Sequence, residues 1–212
     1  MEGPVSTATS GAGDPAATAA PAGTSGVAAS GDQIRLELAP SGNEARYLVR
    51  EQLATFNFPS DAVGVTSDVS GGLLLNADGT IVSDESRIVV DLTSLKSDSG
   101  RRDNFVRSNV LETNTYGTAE FVPSAALGLP SPLPTSGEVT FQLTGDLTVR
   151  GTTRPTTWEV TANVVGGREL TGTATTSFTF AEFGLTQPRV PVVLSVEDNI
   201  RLELDFHFIQ SG

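Results

Sequence analysis

Ile200-Arg201-Leu202-Glu203-Leu204-Asp205-Phe206-His207-Phe208 places an aliphatic or aromatic side chain at every second position, with a polar one between each pair. Successive side chains of an extended chain point to opposite faces, so this alternation describes a strand with one wet face and one buried face. The same period recurs upstream. Ile34, Leu36 and Leu38 alternate with Arg35 and Glu37, Tyr47 and Val49 with Leu48 and Arg50, and Ile88, Val90 and Leu92 with Arg87, Val89 and Asp91. Val139, Phe141 and Leu143 run in phase with Leu147 and Val149, and Trp158, Val160, Ala162 and Val164 alternate with Glu159, Thr161 and Asn163. From residue 33 onward the chain reads as all-β. About eight long antiparallel strands either close into a barrel or stack as a sandwich, and strands of about ten residues or more favour a barrel with a lumen.

Turn chemistry falls between these runs. Asn76-Ala77-Asp78-Gly79 and Gly166-Gly167 carry residues that accept the backbone of a tight hairpin. Pro130, Pro132 and Pro134 mark a loop, because proline cannot donate to a central sheet ladder. One short helix is expected over Arg101 to Glu112, where Phe105, Val106, Asn109 and Val110 share a weak face behind the start signal Asp98-Ser99-Gly100.

The first 32 residues have a different character. Ala, Gly, Thr, Ser and Pro dominate from Gly3 to Gly31, with Val5 and Val27 as the only large aliphatics. Such a segment cannot bury enough apolar surface to offset its ordering entropy, so residues 1–32 are expected to be a flexible tether and residues 33–212 the barrel domain. Met1-Glu2-Gly3-Pro4 has neither a basic nor an apolar leader region, and the expectation is that an export signal has been removed ahead of a tether, the alternative being a plain disordered N-terminus. No apolar run reaches the ~20 residues that span a bilayer as a helix.

A formal net charge of -12 disfavours phosphate-rich partners, so no nucleic acid is expected. The chain has no cysteine, which removes disulfides, thiol catalysis and zinc-thiolate sites from consideration.

Four segments, in order, resemble the YceI family. They are Ser86-Arg87-Ile88-Val89-Val90-Asp91-Leu92; Arg102-Asp103-Asn104-Phe105-Val106-Arg107; Gly145-Asp146-Leu147-Thr148-Val149-Arg150-Gly151-Thr152-Thr153-Arg154-Pro155, a Gly-x-Leu-Thr-x-x-Gly-x-x-x-Pro pattern; and Phe180-Ala181-Glu182-Phe183-Gly184. The resemblance covers Gln33 to the C-terminus. It implies an antiparallel lipocalin-like barrel, exported by bacteria, whose lumen holds polyisoprenoid chains, quinone-like molecules or other amphiphiles. Two stretches depart from the pattern. Arg50-Glu51 stands where many members show a histidine, and Leu111-Glu112-Thr113 replaces an aromatic-containing stretch. Both departures bear on the ligand's identity more than on the fold.

No catalytic constellation emerges. His207 is the single histidine and lies on the polar phase of the last strand, where a surface role is expected. No spacing suggests converging metal ligands, and no cofactor is implied. Arg102 has two readings: a contact to a polar head group near the barrel mouth, or an ion pair that ties the helix to a neighbouring strand, the second being preferred. Arg101 and Arg107 are expected in solvent. The expected lumen-lining residues are Tyr47, Val49, Val90, Phe105, Phe121, Phe141, Leu143, Trp158, Val160, Phe178, Phe180, Phe183, Leu204 and Phe206. A filled core and an apolar cavity draw on the same residue types, so both readings of these side chains stand at this point. The expected function is non-catalytic binding of an isoprenoid or other amphiphilic lipid outside the cytoplasm, with a membrane tether and a homo-oligomer as further expectations. The alternative is a structural or interaction module with a packed barrel that assembles through its exterior or N-terminal tail.

Overall fold

The computed structural model describes residues 33–55 and 57–211; the stretch read as a tether lies outside the described residues. Ten strands follow one another: β1 Ile34–Leu38, β2 Glu44–Leu53, β3 Ser60–Thr66, β4 Val69–Leu75, β5 Arg87–Asp91, β6 Thr118–Leu127, β7 Gly137–Val149, β8 Thr152–Val165, β9 Glu169–Phe178 and β10 Val193–Ser211. All pairings are antiparallel, and β10 pairs with β9 on one side and with β2 and β1 on the other, which closes the sheet. Because β1 and β2 lie end to end along β10, and β3 and β4 continue one another beside them, the ten strands occupy eight positions of an up-and-down barrel. Closure removes the edge strands that would otherwise invite pairing with other chains.

The interruption between β1 and β2 is held by one side chain. Asn43 is buried; its Nδ2 donates to the Ala39 carbonyl at 2.7 Å, and its Oδ1 accepts from the His207 backbone N–H at 2.8 Å. The side chain thus supplies the partner that β10 loses where the ladder breaks. A comparable role falls to Ser86, which is 1% exposed: its Oγ accepts from Leu74 N–H at 2.9 Å and donates to the Leu74 carbonyl at 3.4 Å. Ser86→Ala leaves both Leu74 groups without that hydroxyl and is expected to cost roughly 1–3 kcal/mol. Urea unfolding checks this, and an unchanged midpoint would show that Ser86 is dispensable.

The Gly145–Pro155 motif is the β7–β8 hairpin. A two-residue turn at Arg150 (φ 49°) and Gly151 (φ 70°) joins Val149 to its cross-strand partner Thr152. At Gly145 the neighbouring strand comes so close that a Cβ would stand 2.3 Å from the Val122 carbonyl oxygen, so only glycine fits.

The helical segment differs in detail from the sequence expectation. α1 spans Gly100–Phe105, with Ser99 as its N-cap, and is followed by a π-helical turn over Val106–Val110 in which Leu111 N–H reaches back five residues to the Val106 carbonyl at 2.8 Å. Glu112 lies beyond it in a left-handed conformation (φ 52°), paired with Arg150. Arg107 is not in solvent. It is half-buried and donates to the Leu95 carbonyl at 3.1 Å and to Asn104 Oδ1 at 3.1 Å, so it fastens this segment to the loop before it.

Candidate functional site

The barrel interior is packed at one end and hollow toward the other. At the end where β10 finishes, Leu36, Leu75, Val139, Ala162 and Val164 are buried and do not line the main cavity. Toward the end where β10 begins, the inward side chains of the strands, together with α1 and the 188–196 segment, enclose a cavity of about 610 Å³. This lies within the ~300–1,000 Å³ range of small-molecule sites. The lining is overwhelmingly carbon, because it consists of the apolar phase of each strand.

Thirteen of the fourteen expected lumen residues border the cavity: Tyr47, Val49, Val90, Phe105, Phe121, Phe141, Leu143, Trp158, Val160, Phe178, Phe180, Leu204 and Phe206. Phe183 does not. It is 1% exposed and sits in the 3-10 turn Phe180–Phe183, outside the strand phase, with its ring 4.3 Å from that of Phe178. It therefore supports a lining residue from behind. A capping box fixes that turn: Glu182 accepts from the Thr179 N–H at 2.6 Å and from its hydroxyl at 2.8 Å, which holds the Glu182 carboxyl below its ordinary range.

Several lining residues escaped the sequence reading. Ile88, Leu92, Leu147, Val149, Ile200 and Leu202 were already in the alternating phase and needed only to be counted as lumenal. Pro188, Val190, Val192 and Val193 had no such signal, since they precede or begin β10 in an aperiodic stretch. Val192 is both a lining residue and 62% exposed, which places it at the mouth.

The mouth carries the polar part of the site. Arg102 on α1 donates to Glu51 Oε1 of β2 at 2.7 Å and pairs with Asp98. Burial works against the Arg102 charge, but the Glu51 and Asp98 carboxylates outweigh it and raise its pKa above the ordinary arginine value. Arg102 therefore ties helix to strand and borders the cavity at once. Tyr47, beside it, lies flat over its cross-strand partner Gly64, where a Cβ would stand 2.2 Å from the ring. Burial pushes the Tyr47 hydroxyl up to about 12, so it remains a phenol that can donate at any physiological pH. His207 is not a lining residue; its ring stands 3.4 Å from Glu169.

The YceI-like domain family matches residues 37–208, from the end of β1 to Phe208 in β10. The chain belongs to the YceI-like family. Among curated relatives, a UPF0312 protein of Pseudomonas putida GB-1 is 37% identical over 111 residues, covering 49% of this YceI-like chain and 54% of the relative. A UPF0312 protein of Pseudomonas fluorescens SBW25 is 34% identical over 126 residues, covering 56% and 62%. The YceI-like chain thus spans a little over half the length of the curated relatives it matches. Its fold is similar to that of a polyisoprenoid binding domain from Saccharophagus degradans (TM-score 0.66, 12% identity, 83% of this chain and 98% of that one). It is also similar to that of Burkholderia cenocepacia BcnA (TM-score 0.58, 17% identity, 82% and 99%).

Proposed function

We propose that this YceI-like chain is a non-catalytic carrier that holds the apolar tail of an isoprenoid or other amphiphilic lipid in its barrel lumen and works outside the cytoplasm. One observation carries the reading: a cavity of about 610 Å³, walled by inward aliphatic and aromatic side chains, open at one end and blind at the other. Burial of a hydrocarbon tail there gains about 25 cal/mol per Å² of apolar surface removed from water. A tail longer than the cavity leaves through the mouth, past the exposed Val192. The solidly packed lumen of an interaction module does not accommodate such a void. The polyisoprenoid binding named for the Saccharophagus degradans domain agrees with a lipid ligand. Among the described residues, no helix is long and apolar enough to cross a membrane, and a tether through the preceding segment completes the proposal.

The test is retention of a fluorescent isoprenoid analogue by Phe141→Ala, Phe206→Ala and His207→Gln. Each phenylalanine variant is expected to lose retention and to cost stability, less than the ~3–5 kcal/mol of a fully packed core because each side chain borders a void. His207→Gln is expected to retain the analogue unchanged from pH 5 to 8. Loss of retention in His207→Gln alone would overturn the proposal.

A further inference from the structure

The three most exposed large apolar side chains among the described residues stand at one end of the barrel: Phe58 at 80%, Leu194 at 69% and Val192 at 62%. It is the open end. Phe58 lies in the turn between β2 and β3, and Val192 and Leu194 flank Val193, the first residue of β10. The two segments are joined at the mouth, where Ala54 N–H donates to the Val192 carbonyl at 3.0 Å and the lining residues Leu53 and Val193 pair. Isolated exposed apolar side chains are ordinary on a surface; three gathered around one opening mark a docking face. Free cations stand at the same rim. Arg189 sits between the lining residues Pro188 and Val190, Arg101 on α1 borders the cavity, and both are exposed with no ion pair or hydrogen bond among the described residues. Asp61, Asp98 and Glu112 at this end are each paired with an arginine, and Asp103, Glu182 and Asp198 are held by backbone and hydroxyl donors. The exposed Glu197 lies further along β10.

The closed end has the opposite character. Leu127 and Val165 are exposed there, but Val165 lies opposite Glu169, and Arg168 is outnumbered by the exposed Glu37, Glu138 and Glu169. In a chain of net charge -12, an anionic surface is therefore repelled by that end and met by free guanidinium groups at the mouth. A protein partner fits the rim less well. Three side chains fall short of the ~800 Å² that each partner buries in a stable interface, whereas attachment to a lipid interface strengthens with each apolar side chain buried. We propose that the mouth docks on an anionic bilayer, with Phe58, Val192 and Leu194 entering the acyl boundary and Arg101 and Arg189 meeting lipid phosphates. A lipid tail then moves between bilayer and lumen without crossing water. That transfer rests on the carrier reading above; the docking is measured apart from it.

The test is flotation of the full chain with vesicles of phosphatidylcholine alone and of phosphatidylcholine mixed with phosphatidylglycerol. The wild-type chain is expected to float with the mixed vesicles, and less so at high salt. Phe58→Ser/Leu194→Ser, at two positions that do not line the cavity, is expected to weaken this by about tenfold or more. Arg101→Gln/Arg189→Gln is expected to weaken it about tenfold on mixed vesicles and to leave binding to phosphatidylcholine unchanged. Leu127→Ser/Val165→Ser, at the closed end, is expected to float like the wild type. Transfer of a fluorescent isoprenoid analogue out of labelled vesicles separates docking from carriage. The wild-type rate is expected to rise with vesicle concentration, as in exchange by contact. Phe58→Ser/Leu194→Ser should slow it about tenfold while keeping its urea midpoint and its uptake of analogue added from ethanol. A wild-type chain that does not float with mixed vesicles would overturn the docking and leave the rim to a protein partner. A closed-end variant that loses as much as the rim variant, or a transfer rate independent of vesicle concentration, would overturn it equally. Flotation without any uptake of the analogue would instead remove the carrier reading and leave the docking in place.

Discussion

Val160→Asp is expected to destabilise the barrel by about 4 kcal/mol or more at neutral pH, the scale of an unpaired carboxylate held in an apolar interior. Val160 is 4% exposed, borders the cavity, and lies opposite Phe141 on β7 and Ala174 on β9, neither of which offers a cation. The substituted acid would have its folded-state pKa raised above the unfolded value near 3.9. Between those two values the folded state binds the extra proton, so stability falls as pH rises, by about 1.4 kcal/mol per unit, and levels off above the folded pKa. Below pH ~4 both states are protonated, and only the smaller cost of a neutral polar group remains. Urea titrations from pH 4 to 8 measure this. A loss that is small and independent of pH would mean that the lumen is freely wetted at Val160.

Arg102→Met is expected to cost about 3 kcal/mol, toward the lower end of what breaking a buried ion pair costs, because Asp98 is on the surface and the Arg102 side chain is itself one-fifth exposed. The loss falls on Glu51, which is 8% exposed, borders the cavity and would be left without its guanidinium. Removing both charges in the double variant Glu51→Met/Arg102→Met should recover most of the loss, since no uncompensated charge is then left. Denaturation of the two single variants and the double variant checks it. A double variant no more stable than Arg102→Met would show that Arg102 acts through packing of α1 and not through its charge.

The barrel was legible because β10, β8 and β7 repeat a strict two-residue alternation, and that period has no other stable reading at such length. Chain closure was less visible. It depends on β10 reaching both β1 and β2, and the residue that permits it is Asn43, a single buried amide in a short aperiodic stretch. By sequence Phe183 reads as lumenal because it is aromatic and sits near Phe178 and Phe180; the 3-10 turn rotates it away, and turn geometry is set by the Thr179–Glu182 capping box and not by hydrophobic period. Ser99-Gly100 signals the helix, but nothing signals its π turn, because a change from i→i+4 to i→i+5 bonding leaves no mark on composition. Whether the lumen is hollow is a matter of volume. Val160, Leu143 and Trp158 would read identically in a filled barrel, and the cavity exists because their strands are held apart by the ring as a whole.

Native mass spectrometry of the full chain purified from a bacterial host shows whether the lumen holds a lipid. A population heavier than the polypeptide by the mass of one small amphiphile is expected, released by solvent extraction and absent from Val160→Asp under conditions where that variant is folded. A chain that flies only at its polypeptide mass, and that acquires no adduct when offered isoprenoid lipids, would contradict it.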